Sequence, residues 1–443
     1  MTADWHDPKR RRWWLALATI GLVERAGLFF ITEPASFGDT ATYFRLGQVL
    51  VRQGLSAYDG TRVPGYPWFV GLLGTDPQTI WLAQLLIGWL VSLLLFTLVL
   101  RLTRRPALGF VAGMAYNLTA GQVLFENALL SETLTSGLVL ASLAAFLWVE
   151  GQPAGRGRLL SVLALGVIAS LTGLVRTLFF LLPVVMLPFV TGLASAWRDR
   201  LRLALVFSIG PALLLGGWIT FIYLHYDMLS PTTMGGYHMV QHTGAFFEHL
   251  PDEEAVIRDT YLAVRDARLA ERGVQTNAIW DAIPLLSERT GLSFFALSDK
   301  LQSLSWWLIR HYPGLYLQSV VEGWIAFWKA PVYWQRDLYS PGWRQFIMLW
   351  SWVGRGLSLA ANAAFLLASL AMVISRRFRR HLQPPAMITL AGGLILTASV
   401  VQTLVDHGDN PRFLVPLQMV VIMIVSWTAW ALRRPAAIPE VEA

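Results

Sequence analysis

Apolar runs of roughly 18 residues or more recur along most of this chain, and each is long enough to cross a ~30 Å hydrocarbon core as a helix. About ten meet that rule, near residues 13–31, 79–100, 107–124, 133–149, 159–175, 178–195, 203–224, 348–374, 386–404 and 414–432. A fold built from such runs is an all-α polytopic membrane protein, because only a helix satisfies its own backbone in lipid. A composition 55% hydrophobic and 14% charged excludes a soluble globular protein. The first run follows a basic start without a small-residue cleavage site, so it reads as a retained helix rather than a signal peptide.

Lys and Arg set the orientation. Lys9–Arg12, Arg101/Arg104/Arg105, Arg156/Arg158, Arg198/Arg200/Arg202, Arg376–Arg380 and Arg433/Arg434 fall in alternate loops. With about ten spans, every cluster and both termini face the cytoplasm. The net charge of +7 is then accounted for by the bilayer, and no nucleic-acid partner is expected. The chain has no cysteine, which removes disulfides, thiolate metal sites and Cys nucleophiles.

The opposite face receives the unusual residues. After the first span, Asp39 precedes an amphipathic run in which Tyr43, Leu46, Val49 and Leu50 oppose Arg45, Gln48 and Arg52. This spacing predicts a helix lying in the interface, with Asp39 as N-cap accepting backbone N–H bonds. Pro64 and Pro67 turn the chain back into the membrane. Arg62 beside them is a phosphate contact or a snorkelling interfacial charge. Glu132 opens the fourth span, as a site carboxylate or as an acid favoured by the helix dipole. Glu126 is expected to face headgroups. Glu24 and Arg25 lie within the first span and, as sequence neighbours, do not face each other, so each calls for a partner on another span.

The long segment 225–345 has a charged part, Asp252 to Arg272, expected as a solvated helix with pairs such as Glu254–Arg258. An aromatic part, Trp306 to Trp334, is expected as interfacial helices, with Lys329 either a phosphate contact or a snorkelling anchor. His238 and His242 have i,i+4 spacing that would suit a shared metal ion on a helix. Gly235 and Gly236 argue against that helix and for a mobile loop. Asp406–Arg412 must be a tight loop between the last two spans, with Asp406 or Asp409 holding Arg412, or else a solvated turn.

These pieces together resemble the GT-C glycosyltransferases. The resemblance is carried by Gly38-Asp39-x-x-x-Tyr43, Arg62-x-Pro64-Gly65-Tyr66-Pro67-x-Phe69, Leu130-Ser131-Glu132 and Gly173-Leu174-x-Arg176. It continues in His311-Tyr312-Pro313-Gly314 and Pro411-Arg412-Phe413. The bacterial relatives of protein O-mannosyltransferases and aminoarabinose transferases are the branch most resembled. Two departures stand out: Thr40 follows Asp39 where many relatives carry a second acid, and no sizeable soluble domain follows the last span.

The resemblance implies transfer of a sugar from a polyprenyl-phosphate donor to a lipid, glycan or protein acceptor, at the extracytoplasmic face of a bacterial inner membrane. Asp39 would be the base and Glu132 a second catalytic carboxylate. Arg62, Tyr66, Arg176, Lys329, Asp409 and Arg412 would bind substrate. The resemblance fixes no cofactor, and a divalent metal stays open because some relatives use one and others do not. The expected division is a catalytic membrane module over 1–224 with its outer loop at 32–78, an outer region at 225–345, and C-terminal spans at 346–443. A flippase or transporter of lipid-linked substrates, or a non-catalytic envelope scaffold, would share the spans. Transport would line a path through the bundle with charge, and a scaffold would leave the charged residues scattered.

Overall fold

The protein is described here by a computed structural model covering residues 7–434. The expected cytoplasmic placement of the two extreme ends concerns residues outside that range. Helices account for nearly all of it, and no strand forms among the described residues beyond an isolated bridge between Ala35 and Ala128.

The first half comprises α1 (Pro8–Ile31), α2 (Thr40–Gln53), α3 (Gly65–Leu72), α4 (Pro77–Thr103), α5 (Pro106–Leu118), α6 (Ala120–Asn127), α7 (Glu132–Glu150), α8 (Arg156–Val175), α9 (Leu181–Thr191), α10 (Trp197–Pro211) and α11 (Gly217–Tyr226). A further unit follows, called the outer unit after its expected side of the membrane: α12 (Gly235–Thr243), α13 (Ala255–Arg272), α14 (Ala278–Thr290), α15 (Phe294–His311) and α16 (Pro313–Phe327). The chain closes with α17 (Arg344–Ile374), α18 (Arg376–Leu382), α19 (Ala386–Val405), α20 (Asn410–Leu414) and α21 (Gln418–Ala431).

Several starts are written in the sequence. Asp76 accepts the Thr79 N–H at 2.8 Å with Pro77 in the first turn of α4, and Asp7 caps α1 in the same way.

Eight helical stretches are long and apolar enough to cross a membrane, α10 and α11 together making one of them. The run near 107–124 is a broken one, α5 and α6 meeting at 58° about Thr119. The run near 178–195 yields only a short apolar helix, Thr177–Thr191. Its first turn is 3-10, and it carries Pro183 and Pro188. The ten apolar runs are thus eight full spans, one bent pair and one short helix.

Between α1 and α4, α2 buries Tyr43, Leu46, Gly47 and Leu50, while Arg45, Gln48 and Arg52 stay exposed, as its spacing predicts. Gly47 and Gly71 let α2 and α3 touch backbone to backbone. Gly65 does the same between α3 and the end of α8, where a Cβ would sit 2.6 Å from the Leu174 carbonyl oxygen. That contact brings the Arg62 turn beside Arg176. Gly65→Ala should therefore cost about 1–3 kcal/mol of stability by overpacking against backbone, read as a lowered Tm in detergent. An unchanged Tm would show that α3 can slide without penalty.

The outer unit departs from expectation in two ways. The segment with the paired glycines is not a loop but α12, and Gly236 is there for packing: a Cβ would strike the Ser298 carbonyl of α15. Tyr237, Phe247, Leu286 and Leu301 head a core belonging to this unit. Glu254 pairs with Lys300 rather than Arg258, which instead takes Asp252 and Asp259. The charged helix α13 still presents most of its length to solvent, burying Ile257, Thr260 and Tyr261.

A candidate active site at one end of the bundle

Five charged residues far apart in sequence form one continuous chain of ion pairs. Arg62 Nη2 donates to Asp39 Oδ1 at 2.7 Å, and Arg412 Nη1 donates to Asp39 Oδ2 at 2.8 Å. Arg412 Nε donates to Glu132 Oε1, and Arg176 Nη1 donates to the same oxygen at 2.6 Å. Three guanidiniums and two carboxylates leave the cluster at a formal +1.

Local structure explains each position. Asp39 stands at the start of α2, yet its side chain makes no cap bond. Two charge-assisted bonds to guanidinium are stronger than one to a backbone amide, so the carboxylate turns to the arginines. Glu132 is the first residue of α7, so the helix dipole favours it as well as its two arginines. Arg176 ends α8 in extended backbone and stacks 4.2 Å over the Phe413 ring, next to Arg412 in the short α20. Arg62 is fixed by its own carbonyl, which accepts the Tyr58 hydroxyl at 2.9 Å, and its guanidinium also meets Met234 at the start of α12.

The cluster is graded in exposure. Glu132 is fully buried and Arg176 nearly so, whereas the Asp39 side chain keeps 27% of its surface open. Anything arriving from solvent meets Asp39 and Arg62 first. Burial pushes the Asp39 carboxyl up, but Arg62 and Arg412 outweigh it and hold the group well below the usual carboxylate range. Behind it, Glu132 Oε2 and Arg176 Nε are buried without a hydrogen-bond partner, an acceptor and a donor left unused.

Asp39, Glu132, Arg62, Arg176 and Arg412 thus come together. The other expected residues do not join them. Tyr66 is fully buried, its hydroxyl given to Gln84 at 2.7 Å and its ring 4.7 Å from that of Tyr43. It lies behind the site instead of lining it, because its helix is wedged between α2 and α8. Lys329 is exposed beyond α16 and makes no ion pair among the described residues. Asp409 accepts the Tyr333 hydroxyl, and burial raises its carboxyl. Neither Asp406 nor Asp409 holds the Arg412 guanidinium: Asp406 faces His238 at 2.9 Å.

Tyr333 falls in the aromatic part expected as interfacial helices, but α16 ends at Phe327 and Tyr333 lies in the loop beyond it; Phe413 could have been found from its place beside Arg412.

The donor set does not fit a divalent ion. Both carboxylates of the cluster are engaged by guanidiniums, and no three His, Cys, Asp or Glu side chains group to hold a metal among the described residues. His238 and His242 share a helix but part ways, His242 meeting Ser319 at 2.8 Å. Burial lowers the His242 ring to about 4, so it is neutral.

Further along α1, Glu24 and Arg25 are partners after all, at 3.0 Å. The Arg25 side chain curls back far enough to reach its neighbour. Glu126, expected among headgroups, is fully buried and takes Arg25 through two bonds, from Nε at 3.0 Å and Nη2 at 2.6 Å. The bend between α5 and α6 is what turns Glu126 inward.

No protein-family description matches the chain, and no curated protein matches it. Solved structures do. The oligosaccharyltransferase of Archaeoglobus fulgidus, tethered to an acceptor peptide containing the NVT sequon, gives TM-score 0.49 at 14% identity over 96% of this chain. The AglB oligosaccharyltransferase of the same organism, with an inhibitory peptide and a dolichol-phosphate, gives TM-score 0.47 at 12% identity over 96%. ArnT from Cupriavidus metallidurans, in the apo state, gives TM-score 0.38 at 14% identity, over 94% of this chain and 77% of that one. The chain spans 50% of the length of each oligosaccharyltransferase chain. No O-mannosyltransferase stands among these three.

Proposed function

We propose that this chain is a membrane glycosyltransferase that moves a sugar from a polyprenyl-phosphate donor to an acceptor hydroxyl at the extracytoplasmic surface. The observation that carries the reading is the convergence of Asp39, Glu132, Arg62, Arg176 and Arg412 from five separate segments. A scaffold has no need of that convergence. A transporter would line a continuous path with such charge, whereas here five charges gather at one end and Glu24, Arg25 and Glu126 pair off separately. Each of the five lies in one of the motifs that resemble GT-C enzymes.

In this reading Asp39 takes the acceptor proton as the acceptor atom attacks the anomeric carbon. The new glycosidic bond forms while the bond from that carbon to the phosphate oxygen breaks, and its electron pair leaves with the polyprenyl phosphate. One displacement inverts the anomeric centre. The guanidiniums of Arg412 and Arg62 stabilise the departing phosphate, a bidentate task that suits arginine. Glu132 and Arg176 hold Arg412 from behind. The outer region 225–345 would shape the acceptor side, and 1–224 with 346–443 would form the membrane module.

The free site poses a chemical problem whose answer is testable. A carboxylate held far down by two guanidiniums is a poor base. A phosphodiester arriving at the cluster competes for those guanidiniums and adds an anion, so both effects raise Asp39 towards useful basicity. The sign follows. In free enzyme Asp39 is ionised across the whole ordinary range, so kcat/KM should show no acid limb from it above about pH 4. In the donor complex the group is raised, so kcat should fall on acidification at a distinctly higher pH. Identical acid limbs in both profiles would mean the arginines do not change partners.

The direct test is transfer by purified protein in nanodiscs, with a panel of radiolabelled polyprenyl-phosphate sugars and crude envelope acceptors. Labelled product from at least one donor is expected. If no donor is bound or turned over, the transferase reading fails.

A further inference from the structure

The pair Arg25–Glu126 lies outside the candidate site, and the chemistry above makes no use of it. Charges inside a membrane span are costly, and a buried ion pair is weak grounds for stability because well-packed apolar residues serve as well. Its geometry is nevertheless fully specified. Arg25 bonds Glu126 twice, the Gly21 carbonyl at 3.2 Å and Asn117 at 3.2 Å, while Tyr116 donates to Glu126 at 3.1 Å. Gly88 on α4 leaves the room, since a Cβ there would overlap the Glu126 carboxylate. The pair therefore fixes α6 on the far side of the 58° bend.

What α6 leads into is the point. The Ala35 N–H bonds the Asn127 carbonyl at 2.8 Å, and the Leu129 N–H returns to the Ala35 carbonyl at 2.9 Å. Thr40 Oγ1 donates to the Leu129 carbonyl at 3.1 Å, next to Asp39. Gln84 Nε2 bonds the carbonyls of Glu126 and Ala128, at 3.0 and 2.7 Å, and its own oxygen takes Tyr66. On the other side, Thr133 Oγ1 donates to the Phe125 carbonyl at 3.1 Å, beside Glu132. The end of α6 and the few residues after it are thus bonded to the Asp39 turn at one edge, through Asn127 and Leu129, and to the start of α7 at the other, through Phe125. A shift of α6 would move Asp39 and Glu132 together, and both share Arg412.

We propose that Arg25 and Glu126 are positioning residues: a clamp inside the membrane that sets the spacing of Asp39 and Glu132 through the backbone of residues 125–129. The kinetic part of this proposal rests on the transferase reading; the structural part does not. A polar clamp suits the task better than an apolar contact, because two directional bonds define a position where packing alone defines a neighbourhood.

The test compares wild type with the apolar pair Arg25→Met/Glu126→Leu, and with Glu126→Asp, which keeps the charge but shortens its reach. Two readouts are taken. Hydrogen exchange by mass spectrometry should accelerate about tenfold in peptides covering 35–40 and 127–132, with the outer unit unchanged. Activity per donor-binding site should fall about 10- to 100-fold in kcat with little change in donor KM, as for a misplacement of about 1 Å. If the apolar pair fails to fold, Glu126→Asp carries the decision. Wild-type exchange at 35–40 and 127–132 in a folded variant would overturn the clamp, whatever the activity. So would accelerated exchange with wild-type kcat. Accelerated exchange in a protein that transfers no sugar even as wild type would keep the structural clamp and sink the transferase reading instead.

Discussion

Asp39→Asn is expected to abolish sugar transfer, by about 10³-fold or more in kcat, while donor binding is kept or tightened. The substitution keeps shape and removes both proton affinity and charge. Arg412 still has Glu132, and Arg62 still has the Thr61 carbonyl at 3.1 Å, so neither guanidinium is left without a partner. The cluster moves from a formal +1 to +2, which favours an incoming phosphodiester. Loss of turnover with retained binding is therefore the signature of a base. It is measured by single-turnover transfer and by donor binding on the same preparation. An active Asp39→Asn protein would send the search for a base to Glu132. A protein that neither binds nor folds would show that Asp39 serves mainly as the counter-ion of Arg62 and Arg412. Stability should follow the linkage: because the folded carboxyl is depressed, its contribution is full above the unfolded value of about 3.9 and is lost only as pH falls below it.

Much of this arrangement is legible in the sequence, and what is not has a physical explanation. Period and length disclosed the spans, because a helix in lipid has to carry its apolar surface in an unbroken run. The same rule misjudged residues 107–124 and 178–195, since hydropathy does not register a bend at Thr119 or a Pro-bearing helix that stops short. Asp39, Glu132, Arg176 and Arg412 were visible as charges at span ends on one face. Which charge meets which was not visible: Arg412 skips Asp406 and Asp409, its neighbours in sequence, for two acids 280 and 373 residues away. Glu126 was misplaced for a similar reason. A carboxylate near a span end looks like a headgroup contact until a bend turns it towards an arginine on another helix. Gly235 and Gly236 look like helix breakers in the sequence, whereas close approach of α12 to α15 is what requires Gly236.

Arg412 should be the least replaceable residue of the cluster, because it alone joins the two carboxylates. Arg412→Ala leaves Glu132, fully buried, with one guanidinium in place of two. Removing one partner of a buried pair costs about 3–5 kcal/mol, and a large fall in Tm should be seen by thermal unfolding in detergent. Transfer should fall by about 10²- to 10³-fold or more, as when a preorganised donor to developing charge is lost. Arg412→Lys separates these effects. An ammonium restores a positive charge beside Glu132, so part of the Tm should return. It cannot offer Nε to one carboxylate and Nη1 to the other, nor grip a phosphate with a planar fork, so activity should stay low. Arg176→Lys is the control, since Arg176 meets Glu132 through one nitrogen and stacks on Phe413 with the rest. Its loss should be milder in kcat than that of Arg412→Lys. If Arg412→Lys turns over like wild type while Arg176→Lys does not, the phosphate is held by Arg176, and the buried donor at its Nε becomes the place where the leaving group lands.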